Sequence, residues 1–188
     1  MYFKKLNLKP IFELGCRLYV FLMLNLYGIG KMIGQQFYRK GELPDDVFNI
    51  PLGQAEAFDL AWTFMGYSSS YIFFVGISQI VGAWLLLFNK TKLIGVTILI
   101  PIMLNIVVFD IVFLDKYGAL ASAILYLILL ISILILNKET IRKAFENLIN
   151  VDVLEVTGKK KLLNLGLSII AVILLFVFDQ LFVNLFGH

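Results

Sequence analysis

The sequence predicts an all-α, polytopic membrane protein with five transmembrane helices. Three observations carry this. Of 188 residues, 60% are hydrophobic and 15% charged, against about 45–50% and about 25% in soluble domains. Seventeen Phe, eight Tyr and two Trp exceed what a core of this size can hide. Five apolar stretches, residues 12–33, 71–88, 93–114, 117–136 and 162–186, approach the ~20 residues that a spanning helix needs. The same composition excludes a disordered chain, a collagen-like chain and an ordinary water-soluble domain.

The first stretch exceeds the ~7–15 apolar residues of a signal peptide and contains Arg17, and no small-residue cleavage site follows it, so it reads as an uncleaved helix. The second is the shortest and can start as early as Ser68. Asn89-Lys90-Thr91-Lys92 separates the second from the third, and Asp115-Lys116 the third from the fourth. Such tight joints make these helices antiparallel neighbours. The chain divides into a four-helix membrane bundle at 1–136, a cytoplasmic linker at 137–161 and a fifth transmembrane helix at 162–188.

Lys and Arg set the orientation, because positively charged loops stay cytoplasmic. Lys4, Lys5, Lys9, Lys90, Lys92, Lys138, Arg142, Lys143, Lys159, Lys160 and Lys161 make eleven on one side, against Arg39, Lys40 and Lys116 on the other. The expectation is a cytoplasmic (inner) membrane protein with its N-terminus inside and His188 outside. The outer loop, 34–70, is acidic, and its end at 55–65 reads as a short interfacial helix with Trp62 at headgroup depth. In the inner loop, Ile141, Phe145, Leu148 and Ile149 make one apolar helical stripe, with Arg142, Lys143 and Glu146 off it. Asn137 suits the N-cap of that helix. The stripe suits the membrane surface and its lipids, or a docked protein partner.

Rare residues limit the chemistry. The one Cys, Cys16, makes neither a disulfide nor a redox pair and reads as an inert thiol facing lipid or a helix. The one His, His188, cannot supply a bis-His haem or a His-rich metal site, so neither haem nor metal is expected. No basic block with interleaved aromatics points to nucleic acid.

Charged groups inside a bilayer cost at least ~2.5–3.5 kcal/mol and need a partner, a cavity or an escape to the interface. Glu13 and Arg17 are spaced to pair on one helix face. At about 100° per residue, Arg17, Leu24, Gly28 and Lys31 share a face, and Gly28 lets another helix approach. Lys31, Asp110, Asp179, Asn25, Asn105 and Gln79 fall in the outer half of the membrane or near its middle. The bland reading is that Lys31 snorkels outward and both Asp residues reach the interface. The sharper reading is an outward-facing polar pocket. There Lys31 lies within salt-bridge reach of Asp110, favoured over Asp179, and Asn105 or Gln79 lines the cavity. Thr97, Pro101 and Asn105 share a face of the third span, so a proline kink and an amide coincide there. Ser78 and Gly82 form a small-residue pair for packing.

The run Arg17-Leu18-Tyr19, then Leu26-Tyr27-Gly28-Ile29-Gly30-Lys31, resembles the first helix of the DoxX-like family, with its early Arg and late Gly-x-x-Lys. Phe64-Met65-Gly66-Tyr67 and the stretch Phe74 to Phe88, followed by Lys90-Thr91-Lys92, resemble its second. The resemblance covers about residues 16–136. Gln79 stands where the family has Glu, which removes a titratable group, and the fifth helix lies outside the family core. The resemblance implies a four-helix membrane bundle. It also implies, as in some members, a place beside a membrane redox system such as thiosulfate:quinone oxidoreductase.

The function expected from this reading is an integral subunit that binds a small hydrophobic ligand such as a quinone for a membrane redox partner. Aromatic side chains near a kinked helix suit a flat apolar ligand. A transporter-like protein using the same pocket is one alternative, although no internal repeat supports it. A non-catalytic structural or assembly subunit is the other.

Overall fold

The computed structural model describes residues 8–34, 36–114, 117–150 and 158–186. The tails around Lys4, Lys5 and His188 and the Asp115-Lys116 joint lie outside them. Among the described residues the chain is all-helical: α1 (Leu8–Met32), α2 (Asp45–Phe48), a 3-10 turn (Leu52–Gln54), α3 (Ala57–Gly66), α4 (Ser69–Leu87), α5 (Lys92–Phe113), α6 (Tyr117–Leu136), α7 (Lys138–Ile149) and α8 (Gly158–Phe186). Five helices, α1, α4, α5, α6 and α8, are long and apolar enough to cross a membrane, as a multi-pass membrane protein requires. The chain divides into two compact units, Met1–Lys143 and Ala144–His188, with the division inside α7.

The first unit is a four-helix bundle in ring order α1, α4, α5, α6, with α1 also packed on α6. Its core joins Val20 and Leu24 of α1, Ala83 and Leu86 of α4, Leu99 and Met103 of α5, and Leu130 and Ile133 of α6. Cys16 is buried among them and faces helices, not lipid.

Glycine sets two of the crossings. A Cβ on Gly28 would lie 3.0 Å from the Gly76 carbonyl oxygen, so α1 and α4 touch backbone to backbone. A Cβ on Gly95 would lie 2.7 Å from the Gly82 carbonyl oxygen, which brings α5 equally close to α4.

Helix ends are closed by side chains. Ser68 caps α4, its Oγ accepting from the Tyr71 backbone N–H. At the far end of α4, Arg17 donates to the carbonyls of Leu86 and Leu87 and, at 2.7 Å, to Asn89 Oδ1. Those carbonyls have no partner within the helix. Glu13 lies 3.7 Å from Arg17, the pairing its spacing predicts, and also accepts from Lys92 Nζ at the start of α5. Arg39 closes α1 in the same way, donating to the carbonyls of Met32 at 2.8 Å and Lys31 at 3.3 Å. Asn137 holds the N-cap position of α7, its carbonyl accepting from the Ile141 N–H at 3.2 Å, but its side chain serves the other helix: the amide donates to the Ile133 carbonyl at 2.8 Å and finishes α6, whose orphan carbonyls lie within its reach.

The segment between α1 and α4 folds over one end of the bundle, with α3 resting on α4 and α5. Trp62 of α3 is half-buried and turned inward. It stacks on Phe58 at 4.2 Å between ring centroids and meets Phe37 at 5.5 Å and Phe109 at 6.5 Å. α7 carries Ile141, Phe145, Leu148 and Ile149 on one face. The last three are exposed and Ile141 is half-buried. In the second unit, α8 is apolar on every side.

Candidate functional site

Beneath Trp62, at the end of the bundle where α1 finishes, two hollows meet. The first, about 450 Å³, lies between α4 and α5. The second, about 350 Å³, is walled by α1, α5 and α6 through Leu24, Tyr27, Met103, Ser122 and Tyr126. Lys31, Gln36, Trp62, Ile106 and Asp110 line both, so they are lobes of one site. Both volumes fall within the ~300–1,000 Å³ usual for small-molecule sites.

Lys31 and Asp110 are the charges of this site, only 5% and 7% exposed. The Lys31 ammonium turns into the bundle. It donates to Gln79 Oε1 at 2.9 Å, from a position 5.9 Å over the Tyr27 ring. Gln79 is 1% exposed and lies ten residues past Ser69, the first residue of α4. Lys31 therefore does not snorkel outward.

The ion pair expected between Lys31 and Asp110 is not formed, since no N···O distance between them falls within 4.0 Å. The ring order explains this. α4 is next to α1, whereas α5 stands across the diagonal from it. The ammonium takes the amide on the neighbouring helix, and Asp110 faces it across the shared site as its counter-charge. Among the described residues Asp110 carries no hydrogen bond from a side chain.

The other expected residues divide. Asn105 lines the first lobe, beside Pro101. Gln79 lines the second. Asn25 belongs to neither. Its amide donates to the Phe21 carbonyl at 2.7 Å and its Oδ1 accepts from Trp84 Nε1 at 3.1 Å, so it faces the other flank of α4. Asp179 is on α8, in the second compact unit.

Sequence reasoning missed the tyrosine wall and the role of Trp62 as a cover. Tyr126 is 5% exposed and lies 6.1 Å from Tyr27 and 6.0 Å from Tyr19 between centroids. The available signal was the phase of Tyr126 with Leu130 and Ile133 on one face of α6.

A larger hollow, about 850 Å³, lies in the connecting segment around Val47, Leu60 and Tyr67. It gathers no buried charge. Its one carboxylate, Asp59, already accepts from Tyr38 Oη at 3.2 Å. Burial, helped by that carboxylate, pushes the Tyr38 phenol above its ordinary value.

Fold and site together define a helical membrane bundle with a buried polar group facing an aromatic-walled cavity. No protein-family model matches the chain, and no solved structure matches it. A relative in Bacillus subtilis (strain 168), the uncharacterised protein YwoB, is 36% identical over 94 residues. The match covers 50% of this chain and 57% of the relative, so the chain spans little more than half the relative's length.

Proposed function

We propose that this is a DoxX-like protein of the cytoplasmic membrane, N-terminus inside, whose bundle binds a small apolar ligand with a polar head, such as a quinone, on behalf of a membrane redox partner. One observation carries the reading: Lys31 and Asp110 are both buried against the same two-lobed cavity and are not paired with each other. An ammonium has three donors and a carboxylate only acceptors. Gln79 engages one donor of Lys31, and Asp110 has acceptors to spare. A head that accepts from Lys31 and donates to Asp110 completes both groups, and leaving a buried charge incomplete is costly.

The aromatic and aliphatic walls, among them Trp62, Tyr126 and Ile106, suit a flat ring. Lys31 would hold a ring oxygen, and Asp110 a hydroxyl of the reduced form. When bound, a quinone supplies two-electron, two-proton carrier chemistry. The chain's own contribution is to bind the head, orient it beneath Trp62 and keep water from it. Gln79 supports the reading, because a neutral amide holds Lys31 in position without cancelling its charge.

The test is mass spectrometry of small molecules extracted from detergent-purified protein, in the natural form and as Lys31→Met. The expected result is a quinone at about one per chain in the first and its loss in the second. Equal amounts in both, or none in either, would defeat the reading.

A further inference from the structure

We propose that the first lobe is a lateral doorway between α4 and α5, through which the ligand enters from the lipid and its long apolar tail remains in the bilayer. This rests on the binding reading above and adds the route and the class of ligand, a long-tailed membrane amphiphile.

Four observations converge. First, Gly82 and Gly95 press α4 and α5 together near the Arg17 end of the bundle. The first lobe occupies the gap between the same two helices beyond that crossing, toward Lys31. Second, its walls reach the outside. Tyr71, Phe74, Pro101 and Asn105 line the lobe and are also exposed on the flank of the bundle, Phe74 by 68%. On a helix that crosses a membrane, that flank faces lipid.

Third, Asn105 is out of place on such a flank. Its exposed amide makes no hydrogen bond among the described residues, and an unsatisfied amide is costly in hydrocarbon. At the mouth of a passage it meets polar heads in transit. Pro101, one turn earlier on the same face, lines the same lobe and has no backbone N–H to give to the preceding turn of α5. Fourth, the route from the loop side is covered. Phe37 and Trp62 line the lobe from the connecting segment, and Trp62 is held by rings on both sides. The deep end of the passage is Lys31 and Asp110, and its outer end is the lipid tails.

Trp62 can report on this directly. In a Trp84→Phe background it is the one remaining tryptophan. The protein in lipid nanodiscs is titrated with a benzoquinone carrying a decyl tail, and with tetramethylbenzoquinone, which has none, and Trp62 quenching is followed. The tailed compound is expected to quench saturably and the tailless one to bind about tenfold more weakly or worse. Asn105→Phe and Ser78→Phe, plugs on opposite walls of the mouth, each weaken the tailed compound by about tenfold, while Leu104→Phe, which adds the same ring on the exposed flank of α5 outside the lobe, stays within about threefold. Gel filtration and a thermal transition confirm that each variant is folded, and either plug alone suffices for the test.

Equal binding of both compounds, with no effect of either plug, would overturn the doorway. Lys31→Met separates the two ideas. Its loss of saturable quenching upholds the binding reading whatever the plugs do, and its retention of quenching defeats that reading.

Discussion

Arg17 and Lys31 share the buried face of α1, yet their side chains end in different chemistry. The Arg17 guanidinium is fully engaged by Glu13, Asn89 and the last carbonyls of α4, a rigid fork used as a helix cap. Among the described residues the Lys31 ammonium has one hydrogen-bond acceptor, Gln79, and it borders a cavity. That contrast separates a charge used up in helix packing from one that faces open space. It also fixes which double-mutant cycle is informative. Lys31→Met strands the Gln79 amide and Gln79→Leu strands the ammonium, so each is expected to cost about 1–3 kcal/mol or more, while the double variant costs less than the sum. Thermal unfolding in detergent reads this. Strict additivity would mean that the 2.9 Å contact contributes nothing.

At the scale of helices, much was legible in the sequence. The five apolar runs became the five long helices, and α4 starts at Ser69, one residue after the earliest start the sequence allowed, with Ser68 as its cap. Gly28 read as a point of close approach, and it meets Gly76. What the sequence did not reveal was the order of helices around the ring. Periodicity gives each residue a depth and a face, but not which helix stands opposite. Depth and charge together favoured Asp110 for Lys31, and adjacency selected Gln79 instead. Asn25 was misread for the same reason: its depth is that of the site, and its direction is toward Trp84. The crossing can be tested against a control on the same helix. Gly28→Leu must push α1 off α4, since even a Cβ there lies 2.9 Å from Ile80 Cγ1. It is expected to destabilise by about 1–3 kcal/mol. Gly15→Leu, with nothing within 4 Å, should stay within about 0.5 kcal/mol. Equal thermal stability of the two variants would contradict the crossing.

For the whole molecule, the strongest expectation is topological. Five helices are long and apolar enough to span, so the expected topology has the termini on opposite sides, with eleven basic residues in the segments expected inside, Lys90 and Lys92 among them. A phosphatase reporter, active only outside the cytoplasm, should therefore work when fused after His188 and fail when inserted at Lys90. The reverse pattern would invert the molecule, and activity at both sites would break the count of five.

The distance in sequence between the partners of α1 has a consequence for how the protein is made. Glu13, Arg17 and Lys31 enter the membrane with the first helix, but Gln79, Asn89, Lys92 and the carbonyls of Leu86 and Leu87 do not yet exist. Lys31 and Gln79 are 48 residues apart. At about 5–20 residues per second, translation leaves the ammonium without its amide for roughly 2–10 s. Through that interval the first helix is expected to be a poor resident of lipid, because a charge without its partner is costly in hydrocarbon. The Gly28–Gly76 contact, too, forms only when α4 is in place beside α1.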